Sequence, residues 1–248
     1  MAPTSDPAAR PCLSLVAAVY DERENIEEFV READQALRGL GRAYEIVCVD
    51  DGSKDGSREL LLDLKKRCAA LRVVGLDANH GQSAAFAAGI AFARGQYIAL
   101  IDADLQNDPS DLPGMLGRLE APDQPGCVAG RRANRRDTWL RRVSSRVANR
   151  VRFWLTRDPV RDTGCSLKVF RAEFIRPVKF YRGMHRFLTT LVRMEGGTVV
   201  EMDVKHRPRR QGRPKYGAGL GRTFTALRDA FAVRWMQRRC LKYKAREL

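Results

Sequence analysis

Asp102, Asp104 and Gln106 are the residues of this 248-residue chain whose types and spacing most directly imply chemistry. They follow at once on the apolar run Tyr97-Ile98-Ala99-Leu100-Ile101, which reads as a buried strand. An apolar strand that breaks into Asp-x-Asp delivers negative charge to the carboxyl edge of a sheet, where ligands sit in open α/β folds. Carboxylates that close repel, and one pKa rises unless a cation is shared between them. A hard divalent metal, with Asp104 and the Gln106 side-chain oxygen as ligands, resolves the conflict. The alternative is a solvated acidic turn after a strand.

The elements that must position these residues are legible upstream. Leu13–Tyr20, Tyr44–Val49 and Leu71–Leu76 read as strands. Between them, Ile26–Leu40 has apolar residues at helical spacing, Ser57 is an expected N-cap for a helix reaching about Cys68, and Gln82–Ala93 is a small-residue helix suited to close packing on a sheet. Strand and helix alternate four times, which predicts a parallel sheet with helices on both faces. Three strands end in acidic residues: Asp21/Glu22, Asp50/Asp51 and Asp102/Asp104. Strands of a parallel sheet point the same way, so these ends are expected to converge on one cleft.

Charge divides the chain. Residues 1–124 carry 13 Lys and Arg against 21 Asp and Glu, whereas residues 125–248 carry 32 against 9. Basic surfaces suit phosphates, nucleic acid or anionic lipid. The strand Cys127–Gly130 delivers Arg131 and Arg132, and a basic amphipathic helix is expected through Arg152, with Trp139 and Trp154 near its ends. Such a helix either lies on an anionic membrane or packs on the sheet with a solvated basic face. Further on, Leu167–Phe170 and Thr198–Val204 read as strands and Gly183–Met194 as a helix. Lys205–Gly217, rich in Gly, Pro and cations, reads as a phosphate-clamping loop. Leu220, Phe224, Leu227, Phe231 and Trp235 then form an apolar stripe on a last helix.

Other classes fall away. The six cysteines include no Cys-x-x-Cys spacing, so neither a zinc site nor a disulfide framework is expected. The N-terminal stretch lacks a signal-peptide core, and the longest apolar run is far shorter than a membrane span. The expectation is a soluble or peripheral protein without a transmembrane helix, in a reducing compartment. No recognised nucleic-acid motif is present, so nucleic acid is not an expected partner.

Together, Val19-Tyr20-Asp21-Glu22 with Asn25, Asp50-Asp51-Gly52-Ser53, Asn79-His80-Gly81, Asp102-Ala103-Asp104-Leu105-Gln106, Gly130-Arg131, Ser145-Arg146 and Arg209-x-x-Gly-x-x-Lys215 resemble family-2 glycosyltransferases of the polyprenyl-phosphate, dolichol-phosphate mannose synthase-like kind. The resemblance implies an A-type glycosyltransferase fold: a Rossmann-like, mostly parallel sheet with helices on both faces, here followed by a basic C-terminal amphipathic helix. It divides the chain into residues 1–11, a catalytic domain at 12–218 and a basic helix and tail at 219–248. It implies that Ala18, Tyr20, Glu22, Val49, Asp51, Asp102 and Ala103 hold the nucleoside of a GDP- or UDP-linked sugar. Asp104 and Gln106 would hold Mg2+ or Mn2+ on the diphosphate, with Asp104 and Arg131 catalytic. Arg131, Arg209 and Lys215 would contact phosphates, and Arg141 and Ser145 the acceptor phosphate. The sequence departs from the family at Ala18, usually Pro; Asp21, usually Asn; Gln82, often Lys; and Pro214, often Ser. Many relatives also carry membrane helices after the basic helix at which this sequence stops.

The chemistry separates acceptors. A hydroxyl acceptor needs a general base, whereas a phosphate monoester, with a second pKa of about 6, is largely ionised at neutral pH and needs cations to position it. Few acidic residues follow Asp123 and arginines abound, which favours a phosphate acceptor. The expected activity is inverting sugar transfer to a polyprenyl phosphate at the cytoplasmic, anionic face of a membrane. The alternative is transfer to a hydroxyl of a glycan in cell-envelope polysaccharide synthesis.

Overall fold

The computed structural model describes residues 10–132, 153–208 and 220–241, the side chains of 220–224 excepted. The described residues group into two compact units, one holding 10–132 and 160–208, the other 153–159 and 220–241.

The first unit opens with β1 (Leu13–Val19), α1 (Arg23–Arg38), β2 (Tyr44–Asp50), α2 (Ser57–Arg67), β3 (Leu71–Gly75), α3 (Gln82–Phe92) and β4 (Tyr97–Asp102). A 3-10 turn at Pro109–Asp111 leads into α4 (Leu112–Leu119), then come β5 (Cys127–Arg132), β6 (Lys168–Arg171), α5 (Ala172–Ile175), α6 (Leu188–Met194) and β7 (Val199–Val204). The seven strands form one sheet in the order β3-β2-β1-β4-β6-β5-β7. Only β6 runs against its neighbours, pairing antiparallel with β4 and β5. The chain winds outward from β1 through β2 to β3, then returns to place β4 on the other side of β1. That reversal opens a crevice at the carboxyl ends of β1 and β4, the place where open α/β sheets take ligands.

Alternation assigns the two faces. Leu13, Leu15, Ala17 and Val19 of β1 point with Ile46, Cys48, Ala99 and Ile101 into a core closed by Ile26, Phe29, Ala33 and Leu37 of α1, Leu61 of α2 and Leu112, Met115 and Leu116 of α4. α3 covers the opposite face. Its Gly89 lies so near β1 that a Cβ there would stand 2.2 Å from Val16 Cγ1 and 3.0 Å from Val49 Cγ2. The small residues of α3 are therefore what lets its N-terminus reach the crevice.

Two helix starts differ from the sequence expectation. α1 begins at Arg23 rather than Ile26, because the Glu22 carbonyl already accepts from the Asn25 and Ile26 amides, at 2.8 and 3.1 Å. Two amides at its start are satisfied from the loop before α2: Glu22 N donates to Ser57 Oγ at 3.0 Å and Arg23 N to Asp55 Oδ2 at 3.0 Å. Ser57 is thus the first residue of α2 and not its cap. Gly56, at φ +88°, holds the cap position. The expected helix over Gly183–Met194 divides into a 3-10 turn at Met184–Phe187 and α6.

In the second unit, residues 153–156 form a helical turn and α7 spans Leu220–Arg239. Gln237 Nε2 donates to the Thr156 carbonyl at 2.7 Å, joining the two segments. The expected apolar stripe is not the covered face of α7. Leu227, Phe231 and Trp235 are exposed, while Asp229, Ala230 and Val233 are buried. Leu220 and Phe224 fall among the undescribed side chains. Among the described residues, no helix is long and apolar enough to cross a membrane.

Candidate active site

The crevice is built from register. Ala18 of β1 lies opposite Val49 of β2 on one side and Asp102 of β4 on the other, so Val49, Ala18 and Asp102 form a row across the sheet. The acidic strand ends converge as the sequence predicts, but they do different work. Asp50 is fully buried and accepts from Arg58 Nε at 2.7 Å. Asp51 accepts the backbone amides of His80 and Gly81 at 2.7 and 2.8 Å, fixing the loop that leads into α3. Gly52, at φ +70°, must be glycine, since a Cβ there would meet the Ala78 carbonyl carbon at 2.5 Å and Asn79 N at 2.7 Å. Asp21 accepts from Lys54 N at 2.8 Å, and Glu22 from Asn25 Nδ2 at 2.6 Å. The Asp21–Lys54 bond ties the loops after β1 and β2 together.

Asp102 and Asp104 carry the electrostatic signature. Burial, and then the neighbouring Asp104 carboxylate, push the Asp102 pKa up to about 6. This happens although Gln82 Nε2 donates to Asp102 Oδ1 at 2.5 Å, the Ser166 hydroxyl hydrogen-bonds it and the Lys168 charge lies near. Asp104 is itself buried. The two acids and the Gln106 amide oxygen suit a hard divalent ion that takes its remaining ligands from elsewhere. Among the described residues no cluster of three or more His, Cys, Asp or Glu side chains could hold a metal. Asp104 and Gln106 therefore fit an ion shared with a bound phosphate better than a closed protein cage.

Each of β4 and β5 is antiparallel to β6, so Arg131 and Arg132 leave the sheet at the same edge as Asp102. Both are held in forks: Arg131 donates to Asp203 at 2.6 and 2.9 Å, and Arg132 to Asp162 at 2.7 and 2.7 Å. Of the other residues predicted for the site, Ala18, Tyr20, Glu22, Val49, Asp51, Asp102, Ala103, Asp104 and Gln106 all come from the carboxyl ends of β1, β2 and β4. Arg141, Ser145, Arg209 and Lys215 lie outside the described residues, as does the basic helix expected before Arg152.

Several neighbours escaped the sequence reading. Ser166 accepts from Asn107 Nδ2 at 2.9 Å, which ties the loop after β4 to the Asp162–Ser166 segment. Lys168 is buried on β6, opposite Leu100, with its ammonium donating to the Cys165 carbonyl. A lysine inside the apolar run Leu167–Phe170 is the signal that could have found it, because a buried ammonium requires partners.

Residues 14–182 match the family described as glycosyl transferase family 2. Dodecaprenyl-phosphate galacturonate synthase of Rhizobium johnstonii is 38% identical over 250 residues, covering 98% of this chain and 71% of that protein. Undecaprenyl-phosphate 4-deoxy-4-formamido-L-arabinose transferase of Edwardsiella ictaluri is 36% identical over 208 residues, covering 83% of this chain and 63% of that protein. Among solved structures, glucosyl-3-phosphoglycerate synthase of Mycobacterium tuberculosis in complex with Mn2+ and UDP-glucose superposes with a TM-score of 0.66 at 19% identity, over 93% of this chain and 79% of that one. This last likeness shows the fold, a mostly parallel sheet of the A-type glycosyltransferase class. The family match runs from the second residue of β1 to beyond β6 and so takes in both strands that frame the crevice: the chain belongs to glycosyltransferase family 2.

Proposed function

We propose that this chain moves a sugar from a GDP- or UDP-linked donor to a polyprenyl phosphate, with inversion, at the cytoplasmic face of a membrane. The observation that carries the donor half is the carboxylate pair at the end of β4, where burial first and the Asp104 charge second push the Asp102 pKa up to about 6 in the absence of a cation. Asp104 and Gln106 would hold Mg2+ or Mn2+ against the donor diphosphate. Bound there, such an ion would supply charge neutralisation for the departing diphosphate. Supporting this, the structural neighbour with the same fold was solved with Mn2+ and UDP-glucose.

The chain's own residues account for the rest of the reading. The row Val49–Ala18–Asp102 and the flanking Tyr20, Glu22, Asp51 and Ala103 would seat the base and ribose. Arg131, Arg209 and Lys215 would take phosphates, and Arg141 and Ser145 the acceptor phosphate. An oxygen of that phosphate forms the new bond to the anomeric carbon as the anomeric carbon–oxygen bond to the nucleoside diphosphate breaks. The acceptor arrives ionised, so no general base is required. The activities named for the two relatives, both on polyprenyl phosphates, support this acceptor.

We place residues 12–218 in the catalytic domain, after an N-terminal segment at 1–11, and residues 219–248 at the membrane. Trp154 and Trp235 are 76% and 63% exposed, and Phe153, Leu227 and Phe231 are exposed with them. Arg228, Arg238 and Arg239 lie on the same helix as Trp235. Exposed aromatics flanked by arginines suit the headgroup region of an anionic bilayer.

The test is a transfer assay with labelled sugar nucleotides, Mg2+ or Mn2+, and a short polyprenyl phosphate, counting product in the organic phase. Lipid-linked product that disappears in Asp104→Ala is expected. Turnover only when hydroxyl acceptors are supplied would overturn the acceptor. For the membrane, vesicles of phosphatidylglycerol and phosphatidylcholine should sediment the protein at low salt, less so at high salt and less with Trp235→Ala. Equal recovery in the supernatant with and without vesicles would overturn that placement.

A further inference from the structure

Leu105 stands between the two residues assigned to the metal, and its backbone is left-handed, at φ +60°. A residue with a Cβ avoids that region unless its surroundings impose it. The turn is nevertheless what gathers Asp104 and Gln106, and Gln106 N donates to Asp104 Oδ1 at 3.2 Å across it. The constraint comes from a segment about 100 residues later in the chain. His206 makes an antiparallel bridge with Asn107. The Arg207 amide donates to the Gln106 carbonyl at 2.8 Å. The Arg207 guanidinium then spans two carboxylates: Nη2 donates to Asp108 Oδ2 at 2.6 Å, and Nη1 to Glu32 Oε1 and Oε2 at 2.9 and 2.7 Å. Glu32 lies on α1, whose apolar face is fixed in the core. Lys205 adds a bond from its amide to Asp111 Oδ2 at 2.7 Å. The guanidinium fork thus fastens the loop after β4 to α1, while the backbone amide of the same residue pins the Gln106 peptide.

We infer that Arg207, held by Glu32 and Asp108, is a positioning residue for divalent metal: it braces the Asp104–Gln106 turn in the left-handed form that presents both ligands together. Without the guanidinium's hold on Glu32 and Asp108, the segment whose amide pins the Gln106 carbonyl loosens, and Leu105 can relax to negative φ. A lysine cannot replace the arginine, because a single ammonium lacks the planar fork that meets two carboxylates at once. This inference rests on the donor reading above, in which Asp104 and Gln106 hold the ion.

The experiment measures Mn2+ binding by the full chain, as loss of the free-ion electron paramagnetic resonance signal, with and without added UDP or GDP, alongside thermal unfolding. Arg207→Ala should unfold cooperatively and bind Mn2+ at least about tenfold more weakly than wild type, in the range that outer-shell changes cost metal sites. Arg207→Lys should recover only part of the loss. Glu32→Gln, which touches neither proposed ligand, should weaken Mn2+ in the same direction, and adding it to Arg207→Ala should cost nothing more. Folded Arg207→Ala with wild-type Mn2+ affinity would overturn the brace. If Arg207→Ala fails to fold, wild-type affinity in both Arg207→Lys and Glu32→Gln would overturn it equally. A wild-type chain that binds no Mn2+ with or without nucleotide would overturn the donor reading and the brace with it, whereas normal wild-type binding with unaffected variants removes the brace alone.

Discussion

Two carboxylates at opposite edges of the same sheet, Glu45 and Asp102, have opposite fates. At the amino edge, Glu45 accepts from Ser14 Oγ at 2.6 Å, from the Arg94 amide at 2.6 Å and from Arg72 Nη1 at 2.5 Å. Ser14 Oγ in turn accepts from the Gly95 amide at 2.8 Å. The chain supplies an arginine in contact and a full set of hydrogen bonds, so this charge is complete in itself. At the carboxyl edge, Asp102 receives an amide and a hydroxyl, but its nearest charged neighbour in sequence is another acid, and it keeps its proton up to about pH 6. The amino edge is neutralised from within, whereas at the carboxyl edge two acids lie together, as the proposed cation site requires. A buried acid therefore indicates a site only after its partners have been counted.

The comparison breaks most sharply under truncation. Asp104→Ala should lower sugar transfer by about 10^3-fold, since the diphosphate then departs without its ion. Thermal stability should hold or rise, because a like charge beside Asp102 is gone. Glu45→Ala should do the reverse. It removes the acceptor of the Ser14 hydroxyl and the Arg94 amide and the charge beside Arg72, and should cost about 2–3 kcal/mol of stability. Transfer per folded molecule should stay within about twofold of wild type. Calorimetry and the transfer assay on the same preparations measure both. A large activity loss in Glu45→Ala with unchanged stability would erase the distinction between the edges.

The pH dependence sharpens it. A folded-state pKa raised to about 6 against a reference of 3.8 means the folded chain binds the Asp102 proton more tightly than the unfolded chain does. The stability this contributes is fully present below pH 3.8 and is lost as pH rises through 6. The metal-free protein should accordingly lose some thermal stability from this group between about pH 4 and 6. Mn2+ should restore it at pH 7 and have progressively less effect below pH 6, as proton and ion compete. Melting curves across that window, with and without Mn2+, test both signs. A metal-independent profile would show that the pair is not a cation site.

How much of this was legible follows from where each partner sits in the chain. The runs Leu13–Val19 and Tyr97–Asp102 declare their strands locally, and parallel direction then brings Asp51 and Asp102 to one edge, so the skeleton of the crevice could be read. Ser57 was misread as a cap because its hydroxyl serves elsewhere, donating to Asp55 Oδ1 at 2.5 Å and accepting from the Glu22 amide. The helical spacing of Leu227, Phe231 and Trp235 gives α7 an apolar face, but spacing says nothing about whether that face is covered, and it is exposed. Ser166 and Arg207 act on a loop about 60 and about 100 residues before them, and no local pattern announces such a contact, whereas Lys168 does stand out as a lysine within an apolar run. Arg207 was submerged in a run of cations, where its double carboxylate partnership could not be seen.

The smallest effect is the most discriminating. At residue 82 a neutral amide reaches Asp102, Gln82 Nε2 donating to its Oδ1 at 2.5 Å. Gln82→Lys would place a positive charge where the amide stands, and an opposite charge at that distance lowers a carboxyl pKa by about one unit or more. Two consequences pull apart. The acid limb of Mn2+ binding should move down by about one pH unit. Mn2+ affinity at pH 8 should fall by a few-fold, because an ammonium now competes with the ion for the same charge. Mn2+ titrations of the two chains at pH 5.5 and pH 8 should therefore cross, with the variant stronger in acid and weaker in base. Parallel curves would mean that Asp102 is already neutralised by Lys168 and that the carboxyl edge, like the amino edge, is complete without a bound cation.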